Sequence, residues 1–168
     1  MLVLFLILTG ILLRFIPHAP NFTPVAAIAI FGGAYLNKKY ALIIPLVIMA
    51  LSDYFLGMHN VVLFTWTGFI ASSFIGFWLK RHKNTFGITT ASLSSSVVFY
   101  LISNFGVWLM GWYPPTLQGL LTSYVMGLPF LRDFAMATVI YTGIMVSITE
   151  LVTFKVKNTK LAKVLLTI

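Results

Sequence analysis

The feature that most constrains this chain is the succession of long hydrocarbon runs with almost no charge inside them. From "MLVLFLILTGILL" onward, apolar stretches of helix-spanning length alternate with short polar turns. A membrane-crossing helix needs about 20 predominantly apolar residues. Six candidates meet or approach that length, at about 1–17, 23–37, 40–57, 60–79, 86–110 and 130–154. The 168 residues are 60% hydrophobic and only 8% charged, against roughly 25% charged in soluble domains. A water-soluble fold of this size buries only about 70% of the surface of its unfolded chain, so it could not hide this much hydrocarbon. The solvent is therefore lipid. The runs are too long and too uniformly apolar for alternating barrel strands of about ten residues. The expected fold is all-α: one polytopic membrane domain over 1–168 with six transmembrane helices. Pro45 falls inside the third span, where neighbouring helices can satisfy the carbonyl it frees.

The formal charge of +8 does not indicate a nucleic-acid partner, because the basic residues come as short clusters beside the spans. These are "NKK" (Lys38, Lys39), "KRHK" (Lys80, Arg81, Lys83) and the tail "KVKNTKLAK", following the second, fourth and sixth spans. Cytoplasmic loops carry such excess Lys and Arg. This puts both termini in the cytoplasm, with the loops after spans one, three and five outside. The first run lacks a basic leader region and a small-residue cleavage pattern, and reads as a retained first helix. No cysteine is present, which excludes disulfides and thiolate metal sites.

Arg14 is the one basic residue on the wrong side of that assignment. It opens "RFIPHAPNFTP", in which an arginine, a histidine, an asparagine and three prolines interrupt the hydrocarbon. Arg14 and His18 share one face at helical spacing; they are either ligand contacts or an interfacial snorkel with a helix-ending loop. The other outward segments contribute Asp53, Tyr54, His59 and Asn60, then Asn104, Trp108, Trp112, Tyr113, Gln118 and Tyr124, then Arg132 and Asp133. Two of the three carboxylates in the chain are thus at this end. A polar pocket roofed by loops is expected here, with the prolines stiffening one wall. Asp53 either binds a ligand amine or pairs with Arg14, since an unpaired carboxylate at that depth is costly. Asn104, Trp108 and Trp112 recur at intervals of four, offering an amide anchor and stacking surfaces. Asn104 and Trp108 are assigned to the pocket, Trp112 and Tyr113 to an interfacial aromatic belt. Arg132 and Asp133 are adjacent and point about 100° apart on a helix, so each is expected to find its partner elsewhere. The segment 111–129 is expected to fold over the mouth as a lid with a short helix from Leu117 to Met126.

Two histidines and a carboxylate (His18, His59, Asp53) are a conceivable metal set, but no ligand spacing supports one, and no cofactor is expected. Glu150 reads as a surface partner for nearby lysines. Ala29 and Gly33 form a small-xxx-small pair suited to close helix packing, within the protein or against a partner. No nucleophile elbow, phosphate loop or paired catalytic carboxylates are present, so no enzyme is indicated.

The block "RFIPHAPNFTPVAAIAIFGGAYL", with "LSDYFLG", "SNFGVW", "GWYPPT" and "LRDF", resembles a family of uncharacterised bacterial transport proteins. That family is grouped with the substrate-binding S components of energy-coupling-factor (ECF) vitamin transporters. The resemblance covers most of the chain. It implies a six-helix S-component-like bundle in the bacterial inner membrane and an outward pocket for a micronutrient. It also implies uptake driven by a coupling protein and ATPases. It makes Arg14, His18, Asn21, Asp53, Asn104 and Asp133 pocket residues. Helix one, "LVLFLILTGILL", lacks the alanine docking motif of many S components, so the Ala29/Gly33 face is the substitute docking surface. The remaining readings are a solitary or proton-coupled secondary transporter, and a membrane sensor or assembly factor.

Overall fold

The computed structural model describes residues 2–156. The basic tail beyond Val156 lies outside the described residues. Among them the chain forms six α-helices and no strand: α1 (Leu2–Phe15), α2 (Val25–Tyr35), α3 (Lys38–Leu56), α4 (Val62–Leu79), α5 (Thr85–Leu109) and α6 (Leu117–Val156). Four of them, α3 to α6, are long and apolar enough to cross a membrane, while α1 and α2 are shorter apolar helices. This is a helical membrane protein.

The organising element is α2. Every residue from Val25 to Ala34 is buried, so the helix is apolar on all sides, as a helix surrounded by other helices must be. Its small side chains let neighbours come close. A methyl group added at Gly76 of α4 would sit 2.2 Å from the Ile30 carbonyl oxygen, and one at Gly33 would sit 2.4 Å from the Ser73 carbonyl oxygen. Here α2 and α4 meet backbone to backbone. Ala29 is fully buried and Gly33 is buried with it. The pair is therefore consumed inside the bundle and presents no outer docking face, contrary to the expectation from sequence. Close approach between helices, which needs small residues, is the reason they are there.

Hydroxyls join the next seam. Ser95 of α5 donates to Ser72 of α4 at 2.7 Å, and Ser73 donates to the Ala41 carbonyl of α3 at 2.8 Å. The turns at the basic end are fixed by asparagine caps. The Asn37 side chain accepts from the Tyr40 N–H and Asn84 from the Gly87 N–H, satisfying donors a helix start leaves open.

Two departures from the sequence expectation shape the opposite end. First, α2 has only eleven residues, about 16 Å of helix, roughly half the hydrocarbon thickness. Gly32 of α2 lies against Ala41, while Gly10 of α1 lies against both Ile28 of α2 and Ile48 of α3. The start of α2 is therefore level with the middle of α3, and residues 16–24 must descend from the rim into the bundle to reach it. Irregular backbone among apolar helices is tolerated where it lines a cavity. The prolines at 17, 20 and 24 also lack the N–H that would otherwise need a partner. Second, α6 runs unbroken through Pro129 for 40 residues, about 60 Å. The expected separate lid helix at 117–126 is its first part. Thr116 caps it through the Gly119 N–H. Ser123 donates to the Asn104 carbonyl, Tyr100 to that of Tyr124, and Tyr124 to that of Leu101. These staples hold the early turns against α5, so that losing one backbone bond at Pro129 does not end the helix.

Candidate functional site

At the rim opposite the basic turns, the descending loop, the α3–α4 turn, α5 and α6 enclose a two-chambered cleft. The inner chamber, about 190 Å³, is lined by Arg14, His18, Asn21, Thr23 and His59 above an aromatic floor. The outer chamber, about 450 Å³, adds Ser103, Asn104, Trp112, Tyr113, Ser123 and Met126. Asn21, His59, Thr65 and Phe99 line both, which makes the two continuous. Its size falls in the usual range for small-molecule sites, about 300–1,000 Å³.

The floor is built from three phenylalanines on three helices. Phe99 and Phe134 stack at 4.3 Å between ring centroids, and Phe69 lies 4.8 Å from Phe99. These rings close the bottom of the cleft with an apolar aromatic surface. Asn21 owes its position to the loop's geometry. Its φ of +63° is left-handed, a region asparagine tolerates better than most residues. The Phe22 N–H donates to the Ala19 carbonyl to close the turn.

The charged side of the cleft is arranged as a neutralised pair. Arg14 donates to Asp53 Oδ1 at 2.8 Å, and its second terminal nitrogen meets the Met49 sulfur. Asp53 Oδ2 accepts from the Trp66 indole at 3.1 Å. The Asp53 side chain is 2% exposed and that of Arg14 16%. The structural pairing open from sequence is thus formed, and it leaves Arg14 at the cleft wall with its charge balanced. Trp66 went unremarked in the sequence because an indole in an apolar run reads as packing.

His59 is the most exposed to chemical consequence. Its Nδ1 is buried and has no hydrogen-bond partner among the described residues, and the residue stands where the chambers join. An unsatisfied buried polar atom costs about 1–3 kcal/mol. His18, exposed at the rim, turns its Nδ1 to the Ala19 carbonyl at 2.8 Å. Among the described residues no three His, Cys, Asp or Glu side chains gather where a metal ion could be held.

Asn104 lines the outer chamber. Its amide donates to the Tyr100 carbonyl at 2.9 Å, and its Oδ1 packs on Gly127, where an added methyl group would come within 2.4 Å. The aromatic assignments are reversed. Trp108 donates to the Pro114 carbonyl at 3.0 Å and anchors the α5–α6 turn outside the cleft. Trp112 and Tyr113, assigned to a belt, line the outer chamber. Trp112 donates to Asn60 Oδ1 at 3.0 Å, so Asn60 acts by tying the two loops across the mouth. Gln118 is exposed at the start of α6 and lies outside the cleft. Arg132 and Asp133 also lie outside it, and they do pair, at 3.1 Å. The long guanidinium arm bends across the 100° between them, at a cost its exposed side chain tolerates. Ser103, Thr65 and the phenylalanine floor were missed because they sit inside apolar runs with no local signal.

A family profile matches residues 1–161, described as a family of unknown function, DUF6580. The chain belongs to that family. No curated protein matches it, and no solved structure does. In this DUF6580 member the cleft, rather than any kinship, carries the functional argument.

Proposed function

We propose that the protein is a substrate-binding membrane subunit for uptake of a small, ring-bearing micronutrient, of the S-component kind, energised by a partner ATPase module. In this reading the chain crosses the bacterial inner membrane six times, with α2 and the loop 16–24 together making the second crossing. The termini and lysine-rich turns are cytoplasmic and the cleft opens outward. The observation that carries it is the two-chambered cleft itself. Hydrogen-bonding groups from four separate segments converge over a stacked aromatic floor, and His59, whose buried Nδ1 has no hydrogen-bond partner among the described residues, lines both chambers. Such an arrangement binds a flat ring by stacking and reads its edge through Asn21, His59 and Asn104. Because Arg14 is balanced by Asp53, a neutral or weakly acidic solute suits the lining better than a cation.

Native mass spectrometry of the purified protein tests this reading through a co-purified small molecule. His59→Ala and Asn104→Ala are expected to release it while the protein stays monodisperse. Retention at wild-type occupancy in both variants refutes the assignment of the cleft. The buried Asp53 favours a second reading, a proton-coupled transporter. Uptake by liposomes holding this chain alone, driven by a proton gradient, would select it.

A further inference from the structure

The opposite end of the bundle holds a second cavity that the cleft does not explain. It measures about 590 Å³ and opens between the α2–α3 turn and the end of α4. Three cations line it, Lys38, Lys80 and Arg81, together with Asn37 and the aromatic pair Phe77 and Trp78. Among the described residues no carboxylate lines it. Among the described residues none of the three cations enters an ion pair, because Asp53, Asp133 and Glu150 are engaged by Arg14, Arg132 and Lys83. All three are exposed. Asn37 uses its side-chain oxygen on the Tyr40 N–H, which leaves its amide NH₂ as a donor. Below these groups the walls are Leu36, Phe77 and Trp78, and His82 stacks on Trp78 at 4.3 Å.

We propose that this cavity is a binding site for one anionic glycerophospholipid. Its phosphate lies among Lys38, Lys80, Arg81 and the Asn37 amide, and the first part of its acyl chains lies along Phe77 and Trp78. The charge pattern selects the occupant. Uncompensated cations over an apolar wall match a molecule with an anionic head and a hydrocarbon body, and basic pockets between membrane helices hold such headgroups. A free phosphate would use the cations and leave the aromatic wall unfilled. The site clamps the α2–α3 turn to the end of α4, next to the crossing where the α2 and α4 backbones meet at Gly33 and Gly76.

The test uses full-length protein stripped of lipid in detergent, then titrated with dioleoyl phosphatidylglycerol or dioleoyl phosphatidylcholine and followed by native mass spectrometry. Retention of a single phosphatidylglycerol is expected at about a fivefold lower lipid concentration than phosphatidylcholine. Lys80→Gln/Arg81→Gln should abolish that preference, and Lys155→Gln should keep it. Should the double variant fail to purify, Lys38→Gln alone is expected to reduce the preference at least twofold. Equal retention of the two lipids overturns the proposal, as does a preference unchanged by either basic-site variant. So does full displacement by millimolar orthophosphate, which would make this a free-anion site. A tightly held polypeptide on the groove in place of lipid overturns it too.

Discussion

Replacing Asp53 by asparagine is the perturbation whose outcome the structure constrains most. The wild-type carboxylate accepts from Arg14 at 2.8 Å and from the Trp66 indole at 3.1 Å, with its side chain 2% exposed. Asparagine keeps an acceptor for Trp66 but removes the charge that balances Arg14. Removing one partner of a buried ion pair costs about 3–5 kcal/mol, because the other charge stays desolvated. In a chain of this length about 2–4 °C of melting temperature accompanies each kcal/mol, so Asp53→Asn should lower the midpoint in detergent by about 6–20 °C. Arg14→Gln/Asp53→Asn removes both charges and keeps a hydrogen-bonding pair in place. It should recover more than half of that loss, since an uncharged replacement of a buried pair is often near neutral. The assay is thermal unfolding of the wild type, both single variants and the double variant, analysed as a double-mutant cycle. A shift under 2 °C for Asp53→Asn, or single losses that simply add in the double variant, would refute the view that this pair is a buried electrostatic unit.

Two further outcomes follow from the packing. Gly76→Ala should impair folding, because its methyl group would lie 2.2 Å from the Ile30 carbonyl oxygen at a backbone-to-backbone crossing. Overpacking of this kind costs about 1–3 kcal/mol, and a normal yield of monodisperse protein with an unchanged melting temperature would argue against the crossing. Trp112→Phe removes the hydrogen bond to Asn60 that ties the loops across the mouth. About 0.5–1.5 kcal/mol is expected from one such bond, read as a melting loss of a few degrees and faster ligand release. Identical release rates in variant and wild type would show that the tie does not govern the mouth.

The apolar runs announced an all-helical membrane protein because the hydrophobic content leaves no other solvent, and that much needs only composition and period. The polar loop from Arg14 to Pro24 was legible for the same local reason: its residue types have few other uses beside hydrocarbon. Site residues were legible where they broke the apolar pattern, as Arg14, Asn21, Asp53, His59 and Asn104 do. Phe99, Phe134 and Trp66 conform to the pattern, so their roles were invisible. Trp108 and Trp112 were exchanged because α5 ends at Leu109, so Trp112 lies in the turn beyond it and the spacing of four no longer places the two on one helix face.

By itself, the sequence determined the solvent, the helical class and the end of the bundle at which polar groups collect, since each follows from transfer free energies and chain-local geometry. Only the tertiary structure decided that α2 stops half-way, that the proline loop descends to line a cleft, and that Ala29 and Gly33 serve internal packing. It also decided which partner each charge takes. Those outcomes depend on how closely two backbones approach and where side chains from distant segments meet, quantities that no local pattern encodes.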